Sequence, residues 1–218
     1  MSRVHLVTLG CPKNEVDSEK LLGQLAVDGY SQTDDADHAD LLVVNTCAFI
    51  EEARQESIDT VLGLADLKAD GARLVVTGCM AERYRDELAE ALPEVDVVAG
   101  FGESFTAPTT GAGAATPVTI GRKPSSASEP VVPVFDPLNL PRPRSTRPWA
   151  YVKVAEGCDR ACGFCAIPSF RGPQRSRPID AILAEVDQLD VKEVVLVAQD
   201  LAAFGRDQGV GERSIIPL

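Results

Sequence analysis

Three times before residue 80 a short apolar run ends in a cysteine: "LVTLGC" closes at Cys11, "LVVNTC" at Cys47 and "LVVTGC" at Cys79. With "VDVVA" (95–99) these make four Val- and Leu-rich runs, three of them continuous rather than alternating. That is how parallel strands buried on both faces read. Helical spacing fills the gaps. One helix is expected from an N-cap at Asp17–Ser18 to a C-cap at Gly29, a second over Glu51–Gly71, and a third over Ala81–Leu92 that stops before Pro93. Strand alternating with helix predicts a doubly wound parallel-sheet α/β domain over residues 1–105. In such a sheet the carboxyl ends of the strands share one edge, so cysteines 36 and then 32 positions apart can meet there. Gly10 and Gly78 would let the backbone turn tightly against a bulky ligand. A shared metal site competes here with three separate core thiols, and the repeated strand-end placement favours the shared site.

From Thr106 to Pro148 the composition shifts: nine of the 15 prolines fall here, beside "TTGAGAA" and "PSSASEP". This reads as a linker without catalytic role, with a short strand possible at "EPVVPVF" (129–135). After Trp149 order returns, as a strand in "AYVKVAEG", a cysteine-rich loop, a helix from Pro178 or Ile179, and a buried strand over Lys192–Asp200. Strand, loop, helix, strand is the opening of a parallel (β/α) barrel. A closed barrel takes about 250 residues, so residues 149–218 read as a truncated one.

The formal net charge is −12, which argues against a broad nucleic-acid footprint. Two basic stretches, Pro141–Pro148 and Arg171–Pro178, read as solvated loops. No apolar run reaches the length of a membrane span, and the N-terminus turns polar too soon for a signal peptide. A cytoplasmic address is expected. In a reducing compartment six cysteines point to metal ligands or catalytic thiols rather than disulfides.

The later loop, "EGCDRACGFCAIP", places Cys158, Cys162 and Cys165 within eight residues. Structural zinc takes four ligands, and only His5 and His38, both far off in sequence, could supply imidazole. Ferredoxin-type clusters also take four cysteines. Three cysteines on a cubane leave one iron open for substrate.

The Cys-x3-Cys-x2-Cys spacing after a strand resembles the radical S-adenosylmethionine (SAM) superfamily, and the upstream trio narrows this to the methylthiotransferases. That resemblance implies two [4Fe-4S] clusters, an auxiliary one on Cys11, Cys47 and Cys79 and a SAM-binding one on Cys158, Cys162 and Cys165. It also implies SAM as cofactor, with Gln199 and Asp200 near its amino group, and an electron donor such as a flavodoxin or ferredoxin. "GCPKNEVDSE" (10–19), the loop itself and "VAQDLAAFG" look like the branch that modifies an aspartate β-carbon in the twelfth small-subunit ribosomal protein. The transfer-RNA branch usually carries Gln-Met-Asn where this chain has Pro12, Lys13 and Asn14. It remains the rival reading, along with an iron–sulfur binding unit that holds clusters without turnover, because the family continues with further barrel strands and a C-terminal domain.

Overall fold

The computed structural model describes residues 2–105, 136–209 and 215. Five parallel strands form the first sheet: β1 (Ser2–Thr8), β2 (Tyr30–Gln32), β3 (Leu41–Thr46), β4 (Arg73–Gly78) and β5 (Val97–Val98). Their spatial order is β2-β1-β3-β4-β5, with Val4 opposite Leu41 and Leu42 opposite Leu74. This is the 2-1-3-4-5 order of doubly wound sheets, whose direction of winding reverses between β1 and β3. All six residues of β3 are buried, as a central strand covered on both faces requires.

Alternate residues of the strands face opposite layers. Leu42, Val44, Leu74 and Val76 pack with Val61 of helix α2 (Glu51–Leu67) and Leu88 of α3 (Cys79–Ala91). Val4, Leu41, Val43 and Val75 pack with Leu21 and Leu25 of α1 (Pro12–Val27). Each layer buries side chains that contribute about 1.5–3 kcal/mol apiece when fully removed from water.

The helices differ from the sequence reading at their ends. α1 begins at Pro12, five residues before the expected cap, because Pro12 suits the first helical position and Cys11 holds an extended N-cap conformation. Asp17 and Ser18 are therefore buried inside the helix rather than capping it. α2 ends at Leu67 instead of Gly71. Strand β2 carried no apolar signature, being a three-residue edge with sequence Tyr-Ser-Gln.

The second half holds a parallel pair, β6 (Trp149–Lys153) and β9 (Glu193–Val197), joined through α4 (Ile167–Arg171) and α5 (Ile179–Leu189). Between them β7 (Ala155–Glu156) and β8 (Arg175–Ser176) pair antiparallel. Val152, Val154, Ile182, Leu189 and Phe204 make a separate core here. The described residues contain two strands of the expected barrel and do not close one. The strand expected at 129–135 lies outside the described residues.

Residues 136–148 do not stand clear of the protein. Gly23 of α1 lies so close to this segment that a Cβ there would come within 2.3 Å of the Pro141 carbonyl oxygen. The Leu138 carbonyl accepts a hydrogen bond of 2.6 Å from the buried Lys20 ammonium. Arg142, 4% exposed, pairs with Glu19 and Glu185 and donates to the Tyr151 carbonyl. Buried charge thus joins the first-half helix α1 to the second half, beside the apolar contact of Leu140 with the layer of Leu21 and Leu25.

Candidate metal centres

Strands β1, β3 and β4 lie side by side, and each hands the chain to a cysteine at the same sheet edge. Pairing runs to Thr8–Asn45–Thr77 in register, and Cys11, Cys47 and Cys79 follow within three residues. Cys11 is the N-cap of α1 and Cys79 the first residue of α3, so both sit at the positive ends of helices. Cys47 is fixed by α2: its N–H donates to Ser57 Oγ at 3.1 Å, and that hydroxyl donates back to the Cys47 carbonyl at 3.2 Å.

Two glycines make room for this arrangement. Gly10 has φ +93°, and a Cβ on it would fall 2.9 Å from Cys47 Sγ. Gly78 has φ +92°, and its Cβ would lie 2.3 Å from Asn45 Oδ1. Both conformations belong to glycine, and both spaces admit no side chain.

Asn14 ties the three strand ends together. Its Nδ2 donates to the carbonyls of Leu9 (2.9 Å) and Thr46 (3.0 Å), and its Oδ1 lies 3.6 Å from the Cys79 thiol. Asn45 in turn donates to the Asn14 carbonyl at 2.9 Å. In the sequence Asn14 stands only as part of the "GCPKNEVDSE" stretch; its buried place inside α1 depends on the helix starting at Pro12.

The three thiols border one cavity of about 550 Å³. Phe49, Ile50, Ile167 and Phe170 give it apolar walls, and Arg171 and Gln199 reach it from the second half. Among the described residues no three His, Cys, Asp or Glu side chains converge closely enough to hold a single metal ion. A cubane is wider than one ion, and thiols around a shared volume, walled by apolar groups and free of disulfides, fit it.

Burial pushes the Cys79 thiol up, while the neighbouring Arg171 guanidinium pulls it down. Arg171 Nη2 lies 3.0 Å from Cys79 Sγ and 2.6 Å from Asn14 Oδ1. Its Nη1 donates to Asp17 at 2.9 Å and reaches Glu156 at 3.1 Å. Burial opposes its charge, but Glu156, Cys79 and Asp17 outweigh that and hold it well above the usual arginine range. Lys153 completes the cluster by pairing with Asp17 and Glu156. Sequence reading missed this group. A charged Lys153 inside the apolar strand "AYVKV" was the available signal.

The second trio lies on an irregular loop after β7. Cys158 is buried, Cys165 half-buried and Cys162 exposed, and the adjacent Phe164 is 91% exposed. The Cys158 N–H donates to the Gly172 carbonyl at 3.0 Å, and the Arg160 N–H approaches Cys158 Sγ at 3.4 Å. Asp200 accepts from Arg160 at 2.5 Å, and Gln199 donates to Glu156 at 2.6 Å. Both residues at the end of β9 are thereby joined to the cysteine loop or its first flank. The Gln199 Oε1 is buried without a partner among the described residues. The loop's free thiols, one of them open to solvent, fit a group that takes a small ligand as well as cysteine.

Residues 3–100 match the family described as "Uncharacterized protein family UPF0004". The chain is 46% identical over 216 residues to "Ribosomal protein uS12 methylthiotransferase RimO" of Trichlorobacter lovleyi, covering 94% of this chain and 46% of that one. The protein of the same name from Geobacter sulfurreducens is 45% identical over 216 residues, and that from Citrifermentans bemidjiense 47%, each with the same coverage. The chain is similar to these RimO proteins along nearly all of its own length. It spans just under half the length of these RimO relatives. The family match takes in Cys11, Cys47 and Cys79, and a likeness over 94% of this chain extends past the sheet domain to the Cys158–Cys165 loop.

Proposed function

We propose that this chain carries the two cluster-binding sites of a radical SAM methylthiotransferase whose acceptor is an aspartate β-carbon of ribosomal protein uS12. The observation that carries this reading is the single cavity at the sheet edge, bordered by three thiols of the first half and by Arg171 and Gln199 of the second. Cys11, Cys47 and Cys79 would hold one [4Fe-4S] cluster, and Cys158, Cys162 and Cys165 the other, with SAM. When bound, the second cluster and SAM supply the radical that opens a C–H bond, and the first supplies the sulfur.

The chain's own residues position and shield. Ser57 and Asn14 fix the backbones that present the first trio. Phe49, Ile50, Ile167 and Phe170 line the cavity with apolar groups. Gln199 and Asp200, at the end of β9, would orient the SAM amino group, held in place by Glu156 and Arg160. A cytoplasmic location and a small electron-carrier partner belong to the same reading.

The test is an anaerobic assay with SAM labelled in its methyl group, a strong reductant, and uS12 or transfer RNA as acceptor. It is run with this chain and with a form extended to the length of the RimO relatives. Label on uS12 and none on transfer RNA is expected from the extended form. Label on transfer RNA alone overturns the choice of acceptor. A second reading, cluster binding without turnover by these 218 residues, is favoured by the two-stranded sheet around the SAM site. Transfer by the extended form alone would bear it out.

A further inference from the structure

Arg171 is 8% exposed, and its guanidinium is held by several partners. Nη1 meets Asp17 and Glu156, Nη2 meets Asn14 and Cys79, and the ring of Phe101 lies under its carbon with 4.2 Å to the centroid. Its contact with Cys79 is therefore imposed by the surrounding scaffold. Arg171 closes α4, directly after the Cys158–Cys165 loop, while Cys79 belongs to the first sheet. A residue that follows the second trio in sequence thus touches a cysteine of the first.

Asp17, Glu156, Lys153 and Arg171 sum to no net charge. What reaches the Cys79 sulfur is the near end of that arrangement, a donated hydrogen bond from a cation, with the carboxylates behind it. Hydrogen bonds to cluster sulfurs are among the factors that set cluster potentials, and bonds from ionised donors are roughly twice as strong as neutral ones. Drawing electron density off the sulfur stabilises the reduced state, which carries one more negative charge.

We propose that Arg171 is a positioning residue for the Cys11–Cys47–Cys79 centre: its hydrogen bond to the Cys79 sulfur raises that centre's reduction potential. The inference rests on the reading of those three cysteines as cluster ligands. Lysine is not an equivalent replacement, because its ammonium lacks the planar, rigid fork by which Arg171 meets Asp17, Asn14 and Cys79 at fixed separations.

The experiment uses the full chain carrying Cys158→Ala, Cys162→Ala and Cys165→Ala, reconstituted anaerobically so that only the first centre remains. This parent should bind about four irons; if it binds none, the ligand reading beneath the inference falls. Arg171→Lys and Arg171→Gln are then added, and each protein is titrated with dithionite while the one-electron reduced signal is followed by electron paramagnetic resonance. The expected result is iron retained with a more negative midpoint. For Arg171→Gln the reduction equilibrium should fall about tenfold, ~59 mV for one electron, and for Arg171→Lys by less. Unchanged midpoints in both variants overturn the proposal. Loss of iron from both also overturns it, since Arg171 would then serve assembly of the site rather than its potential.

Discussion

Gly10 shows how narrowly the first centre is defined. Its left-handed backbone and the 2.9 Å approach to Cys47 Sγ leave no space for a methyl group. Gly10→Ala should destabilise the protein by about 1–2 kcal/mol from the backbone alone and should displace Cys47. The check is a denaturant melt together with iron content after reconstitution: lower stability with iron lost from the first centre only. Full iron loading with unchanged stability would show that the strand end relaxes at no cost. The cysteines and Gly10 were legible in the sequence, because strand-end position and cysteine spacing are local patterns. Asn14, Arg171 and Glu156 were not, because their roles come from contacts across 32 to 157 positions of sequence.

Helix α1 carries the charges that join the halves. Lys20 and Glu185 pair at 3.0 Å with both side chains nearly buried, and Arg142 and Arg177 add to Glu185. Burial works against the Glu185 carboxylate, but Lys20 and Arg177 outweigh it and hold its pKa below the ordinary 4.5. Because the folded state depresses this pKa, the group's contribution to stability is present above about pH 4.5. It is lost as pH falls through the lower folded value. Thermal melts of the apoprotein from pH 7 to pH 3 should therefore show an acid limb. Glu185→Gln should start lower and run flatter through that limb. A parallel pair of curves would mean that Glu185 does not titrate on folding. Burial of Lys20 lowers its pKa to about 8 despite Glu185, so this pair holds the helix in place at a desolvation cost. Breaking such buried pairs typically costs 3–5 kcal/mol. The periodic apolar face of α1 could be read from sequence, but its start could not. The cap signal at Asp17–Ser18 competed with Pro12, and the buried ion pairs of Asp17 are what its true position serves.

The whole molecule is two packed units joined through buried charge, and this decides how it should come apart. The sheet domain has its own two apolar layers, to which the second half adds chiefly Phe170 and its neighbours. Separating the halves exposes Asp17, Glu19 and Lys20, which water solvates, together with the apolar patch covered by Phe170, Ala166 and Ile167. Residues 1–105 expressed alone should therefore fold and stay soluble. Strand β9, paired on one side only among the described residues, should make the isolated second half prone to association. Size-exclusion chromatography and melting of the two pieces would check this, and a first piece that aggregates would show that the charged joint is required for folding. The doubly wound order was legible in broad outline from the run of strands and helices. The edge strand β2 and the β7–β8 pair were not, since two or three residues carry no period. The account turns on two separate three-cysteine centres, and iron stoichiometry tests that most directly. Anaerobically reconstituted protein should bind about eight irons per chain, and the Cys158/Cys162/Cys165→Ala form about four. Retention of the full iron content by the triple variant would contradict the account.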